Sequence, residues 1–229
     1  MIKRLFDIVF AACILGVTWP LMLLGALAVK LTSPGPALYH AKRAGRGGSP
    51  FYMLKLRTMR VATDTIDRRI TAEQDDRISA AGRPLRKFKI DELPQFWNVL
   101  RGDMSIVGPR PEDWDIVERF YAVAQRRTLD VRPGVTSVAE VRWYPSLMYH
   151  DPPPEGVSTQ EWYLKRHLPT ILAEEAYYVE HQSLLLDLKV ILQTAYCVLI
   201  RSWLLPSRRP LPVNQPDMMS PGLTIGSNS

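Results

Sequence analysis

Asp91 and Glu92 stand side by side in KIDELPQFWN, with a basic stretch before them and an apolar one after. Arg83, Arg86, Lys87 and Lys89 precede the pair, and Leu93, Phe96 and Trp97 follow it. A carboxylate in that setting can attack phosphorus, provided a divalent cation and nearby cationic side chains screen the repulsion between two anions. On that reading Asp91 is the nucleophile and Glu92 a cation ligand, while Arg86 and its basic neighbours grip or screen phosphate oxygens. Asp91 could equally cap a helix that begins at Glu92 and carries Pro94 in its first turn. Residue types alone leave both readings open.

Further cations have spacings of interest. KLRTM puts Lys55 and Arg57 on one face of a β-leaning run, as an anion grip or as a solvated edge. VGPRPE displays Arg110 rigidly between two prolines, just ahead of a helix start, where anions are welcome; a plain loop explains it too. DWD, Asp113 to Asp115, matches the D-x-D pattern of nucleotide-sugar glycosyltransferases, yet both acids also suit the first turn of a helix. His40, His150, His167 and His181 are scattered without ligand spacing, so no zinc site is expected. GRGGSP lacks the Gly-Lys-Ser/Thr ending of a phosphate-binding loop.

These residues need elements to position them. No charged side chain occurs from Ile8 to Val29, a stretch long enough to cross a bilayer core. It is long for a signal peptide, and no good cleavage site follows. Lys3 and Arg4 lie before it and Lys30, Lys42, Arg43 and Arg46 after it, so a straight span strands one basic group on the wrong side. Pro20, near the middle, removes a helical hydrogen bond. A helix broken there, entering and leaving on the cytoplasmic face, satisfies both observations better than a span or a soluble core helix. Asp7 is expected at the interface, paired with Lys3 or Arg4.

After this anchor, residues 1–35, a cytoplasmic domain is expected over 36–205 and a disordered Pro- and Ser-rich tail over 206–229. ALYHAKRAG and PFYMLKLRTM around GRGGSP predict a hairpin. ELPQFWNVLRG predicts a helix ended by Gly102, and RPEDWDIVERFYAVAQRRTL a longer one starting at Pro111. VRPGVTSVAEVRW leans to strand. TQEWYLKRHLPTILAEEAYYVEHQ returns to helix with a break at Pro169. Leu184, Leu188, Ile191, Leu192, Ala195 and Leu199 recur at helical spacing, so an amphipathic helix packs there on the core or lies on a bilayer. The fold class is α+β, predominantly helical, with a small hairpin sheet and a re-entrant N-terminal helix. The net charge of +6 implies an anionic partner. No nucleic-acid module is recognisable, and Cys13 and Cys197 make no disulfide framework.

Read together, KRLFDIVFAACILG, LTSPGPALYHAKRAG, FYMLKLRTM, DDRISAAGRPLRKFKIDELPQFWNVLRGDMSIVGPRPE, VRPGVTS and LLLDLKVILQTA resemble the bacterial sugar transferase family, the monotopic phosphoglycosyl transferases, from about Lys3 to about Thr194. The resemblance implies that Asp91 attacks the sugar-bearing phosphate of a UDP-sugar, releases UMP, and passes the phosphosugar to polyprenyl phosphate. It implies Mg²⁺ at Glu92, a functionally important Lys55, anion binding at Arg110, and a substrate-side role for Glu175, beside the anion grips already read at Arg57 and Arg86. It implies a membrane-lipid setting at the cytoplasmic face of the bacterial inner membrane, initiation of a surface glycan, and leaves a homodimer open. Three features depart from the family pattern: Trp19-Pro20 replaces Ser-Pro, Glu175 replaces an aspartate, and RPGVTSVAEVRW differs from the commoner R-P-G-I-T-G-W-A-Q-V. Two rivals stand beside this reading: a D-x-D glycosyltransferase using Asp113 and Asp115, and a catalytically inactive membrane scaffold.

Overall fold

The computed structural model describes residues 1–59, 77–143 and 154–198, with Trp143 described by its backbone alone; the expected tail lies outside the described residues. The first element, α1, is a helix of 31 residues, Ile2–Thr32, about 46 Å long at the usual helical rise. It is long and apolar enough to cross a membrane. Helical backbone geometry continues through Pro20, so a bend there leaves the helix in one piece. Two residues before it, Thr18 Oγ1 donates to Ile14 O at 2.7 Å. Such back-bonding bends a helix without ending it.

Only Asp7, Ala11, Gly25 and Val29 of α1 are buried, and they lie near its two ends. Asp7 pairs with neither Lys3 nor Arg4. Its carboxylate accepts from Ser105 Oγ at 2.9 Å and from Ile106 N at 3.1 Å, inside the domain. Lys3 instead reaches Asp187, and Arg4 donates to the carbonyls of Val99 and Leu100. At the other end Val29 packs with Leu56 and Leu85.

The hairpin forms as its turn residues dictate, with β1 (Leu38–Ala44) antiparallel to β2 (Pro50–Leu56) and Tyr39 opposite Lys55. Ala41, Ala44, Met53 and Leu56 are buried, each strand keeping a residue covered on either face. Short helices follow, α2 (Gly82–Lys87) and α3 (Gln95–Arg101), the latter ended by Gly102 at φ 96°. A second two-stranded sheet, parallel, pairs β3 (Ser105–Val107) with β4 (Gly134–Thr136).

Three helical expectations are corrected. The helix foreseen from Pro111 begins only at α4 (Trp114–Phe120), because Asp113 Oδ1 caps it by accepting from Asp115 N; extended backbone at Tyr121 and Ala122 then separates it from a 3₁₀ stretch, Val123–Leu129. The strand-like run after Thr136 is a helix, α5 (Val138–Trp143), because Ser137 Oγ accepts from Glu140 N. Pro169 breaks nothing: α6 (Thr159–Trp162), a π-turn over Tyr163–His167 and α7 (Leu168–Glu180) run on, with the proline in the first turn of α7 where its missing N–H costs little.

The last helix, α8 (Leu184–Tyr196), is amphipathic, and of the two placements expected for its leucine stripe the structure takes the outward one for most of it, with Ile191 packed against the core. Asp187 and Val190 face the core, while Leu184, Leu188 and Leu192 of the predicted stripe are exposed. The main core joins α1, the hairpin, α3, β3, α5, α7 and α8 around Met53, Val99, Met104 and Tyr178.

Candidate active site

The hairpin and α3 are locked by one side chain. Fully buried Asn98 accepts from Leu54 N at 2.9 Å and donates to Tyr52 O at 2.9 Å and Asp103 Oδ2 at 3.1 Å. This fixes β2 beside the start of α3, and so fixes Lys55 beside the acidic pair. The pair itself lies on a 3₁₀ turn, Ile90–Glu92. Lys89, ahead of the turn, has φ 56°, a left-handed backbone uncommon for a side-chain-bearing residue. The Asp91 carboxylate caps no helix: its Oδ1 is buried with no hydrogen-bond partner. Of the two sequence readings, the cap is therefore excluded.

Lys55 Nζ lies 3.2 Å and Lys89 Nζ 3.1 Å from Glu92 Oε1. Lys89 Nζ also donates to Glu140 Oε1 at 2.8 Å, and Arg110 Nη1 stands 3.7 Å from the same oxygen. Burial and the neighbouring Glu92 carboxylate push Asp91 up to about 6, while Lys55, Lys89 and Arg86 draw it down. Burial alone would raise Glu92 as well, but Lys55 and Lys89 hold it far below the usual carboxylate range. The environment thus separates the dyad: Glu92 stays ionised and paired, whereas Asp91 Oδ1 is left without a hydrogen-bond partner. That separation of two adjacent carboxyls is what distinct chemical roles require. Burial lowers the pKa of Lys55.

Arg110 and Glu175 meet where the domain closes around a narrow pocket lined also by Glu112 and Tyr121. Arg110 N donates to Glu175 Oε1 at 3.2 Å, and Glu175 Oε2 is buried without a partner. Burial pushes Glu175 up to about 8, against the Ser137 hydroxyl and the Arg110 N–H, which favour its charged form. Glu112 takes the hydroxyl of Tyr163 in a close hydrogen bond and an N–H from Asp113 at 2.8 Å.

Not every predicted residue joins the cluster. Arg57 leaves Lys55 and turns to the end of α1, donating to Ser33 O at 2.9 Å and Ser33 Oγ at 3.0 Å. Gly35, at φ 111°, lets it in: a Cβ there would fall 2.2 Å from Arg57 Nη1. Arg57 Nε and Nη1 are buried and unpartnered. Arg86 remains near Asp91 as a field rather than a contact. Asp113 and Asp115 form a helix start, which accounts for the D-x-D match.

Two members went unforeseen. Lys89 counted only as part of a basic run, and Glu140 lay in a run that leans to strand; the available signal was the Ser-x-x-Glu spacing that starts α5. Among the described residues no three His, Cys, Asp or Glu side chains gather as a metal cage. A Mg²⁺ bound together with substrate phosphates needs only one or two protein carboxylates. The dyad offers that set, since Asp91 Oδ1 is unpartnered and both lysines fall on Glu92 Oε1.

The sequence profile of the family described as bacterial sugar transferase matches residues 1–201. The chain belongs to the bacterial sugar transferase family. Among relatives of this transferase, a protein of Caulobacter vibrioides named UDP-glucose:undecaprenyl-phosphate glucose-1-phosphate transferase is 43% identical over 196 residues, 84% of this chain and 67% of its own length. An Aeromonas hydrophila protein named UDP-N-acetylgalactosamine-undecaprenyl-phosphate N-acetylgalactosaminephosphotransferase is 34% identical over 86% of this chain and 44% of its own length. A Bacillus subtilis protein named as the sugar transferase EpsL is 35% identical over 87% of this chain and 88% of its own length. The transferase described here thus spans between about half and nearly all of these relatives.

Proposed function

We propose that this bacterial sugar transferase moves a sugar 1-phosphate from a UDP-sugar to polyprenyl phosphate, through a phosphosugar carried on Asp91, and so initiates a surface glycan. The observation that carries the reading is the contrast inside the dyad: Glu92 has two lysines, whereas Asp91 Oδ1 is buried without a partner. The names of the relatives, which pair UDP-sugars with undecaprenyl phosphate, support the donor and acceptor classes.

In the first step an Asp91 carboxylate oxygen forms a bond to the sugar-bearing phosphorus. The bond from that phosphorus to the bridging oxygen breaks, and UMP leaves with the electron pair. Arg110, with its side chain 43% exposed, binds donor phosphate. Lys55 holds Glu92 in place and lowers the barrier set by anion–anion repulsion. In the second step an oxygen of the lipid phosphate attacks the same phosphorus and Asp91 is released as a carboxylate. Glu92 would hold a Mg²⁺, which when bound would supply charge neutralisation at the phosphates.

The acceptor dictates a membrane setting, and α1 supports it. Arg4 at one end binds the carbonyls of α3, Val29 near the other packs on Leu56 and Leu85, and the exposed apolar middle includes Val17, Leu23 and Leu24. A helix whose ends reach the same domain does not leave them on opposite sides of a bilayer, so the re-entrant course fits and the basic flanks favour the cytoplasmic face. The outward leucines of α8 suit the same lipid surface.

The released nucleotide tests the chemistry. Purified transferase given UDP-sugar and polyprenyl phosphate releases UMP; UDP would mean transfer of the sugar without its phosphate, and no nucleotide across a panel of donors would favour the scaffold.

A further inference from the structure

Glu140 brings a carboxylate to the cluster that the two-step reaction does not call for. Ser137 and Glu140 have the spacing of a capping box, and Ser137 Oγ does accept from Glu140 N at 3.0 Å. In such a box the glutamate turns back to the N–H of the serine. Here it turns away, and its Oε1 meets Lys89 Nζ at 2.8 Å and Arg110 Nη1 at 3.7 Å. It is the ion-pair partner of Arg110, and only 14% of its side chain is exposed against 43% for the arginine. A nearby ion pair, Arg142 with Glu174, ties α5 to α7 and holds Glu140 at this place. The site therefore already contains an anion seated on the cations that a substrate phosphate would use.

We propose that Glu140 is a competing internal anion that sets how weakly the site holds the departing nucleoside monophosphate. Donor phosphate displaces Arg110 from Glu140. Once the phosphosugar is on Asp91, the pairing re-forms and the monophosphate leaves, which clears the way for a second anionic substrate. A fixed carboxylate this close weakens anion binding by Coulomb repulsion and by occupying the guanidinium. Glu140 is on this view a positioning residue, acting through Arg110 and Lys89 and not on the reacting phosphorus. The inference rests on Arg110 as a ligand of the donor's phosphates.

The test is titration of the purified full chain with UMP, alongside steady-state kinetics. Glu140→Gln, which keeps the shape and removes the charge, is expected to bind UMP about tenfold more tightly. It should lower KM for the donor and kcat together, because product release slows, at an unchanged melting temperature. Glu140→Asp, which keeps the charge, should retain the wild-type UMP affinity. Equal or weaker UMP binding by a folded Glu140→Gln overturns the proposal, since a purely structural role would not tighten binding. Arg110→Gln separates the two layers: it should weaken UMP binding, and unchanged binding would overturn the phosphate role of Arg110 and not merely that of Glu140.

Discussion

Lys3 Nζ lies 2.6 Å from Asp187 Oδ2 and joins the first turn of α1 to the first turn of α8. Asp187 is fully buried, and its other oxygen accepts from the Tyr178 hydroxyl at 2.6 Å; Lys3 also donates to Val107 O at 3.1 Å. Removing one partner of a buried pair strands the rest of the network. Asp187→Ala is therefore expected to cost about 3 kcal/mol by urea denaturation, with Asp187→Asn costing less. A loss for Asp187→Ala below about 1 kcal/mol, the scale of a surface pair, would contradict this role.

The same anchoring makes a topological prediction. With both native cysteines replaced by serine, single cysteines at Ile2 and at Tyr39, both exposed, should react with an impermeant reagent from the same side of sealed vesicles. Labelling from opposite sides would mean that α1 spans the bilayer.

Asp91 has a stability cost as well as a chemical role. Its folded pKa, about 6, lies above the ordinary value of 3.8, so the fold binds its proton more strongly than the unfolded chain does. Stability attributable to this group is accordingly greatest below the unfolded value. It falls as pH rises from there to about 6, and stays reduced above it. Asp91→Asn should melt higher than wild type, with a gap that opens across this interval and is constant at higher pH. A lower melting temperature for Asp91→Asn at neutral pH would refute the claim that the carboxylate is buried at a cost.

Lys55 can be read through the pH–rate profile. The wild-type acid limb should reflect Asp91 ionisation near pH 6. Lys55 lowers the Asp91 pKa, so Lys55→Ala should move that limb to higher pH and reduce kcat/KM by about a hundredfold. Lys55→Arg restores charge without the compact ammonium and should recover little. An unmoved limb would remove Lys55 from the electrostatics of the nucleophile.

Much of this was legible in the sequence, for reasons that differ by residue. The Gly-rich turn declared the hairpin, Gly102 ended α3, and the charge-free run from Ile8 to Val29 declared α1, because each signal is local. Long-range partners were not. Asp7 could not reveal Ser105, nor Lys3 reveal Asp187, since spacing along a chain carries no information about which strand packs against a helix. Arg57 sits apart from Lys55 because period-two alternation gives the face of a strand, but not the length of reach that takes its guanidinium to Ser33. Glu140 lay in a run that leans to strand, and nothing local points its side chain to Lys89 and Arg110.

The account stands or falls on a covalent phosphosugar at Asp91. Purified protein should be incubated with Mg²⁺ and a panel of UDP-sugars, without lipid acceptor, and its intact mass recorded. The account predicts an added sugar-phosphate mass with one donor, absent in Asp91→Asn and discharged by polyprenyl phosphate. The same adduct on Asp91→Asn, or UMP release with lipid but no adduct under rapid quench, would contradict it.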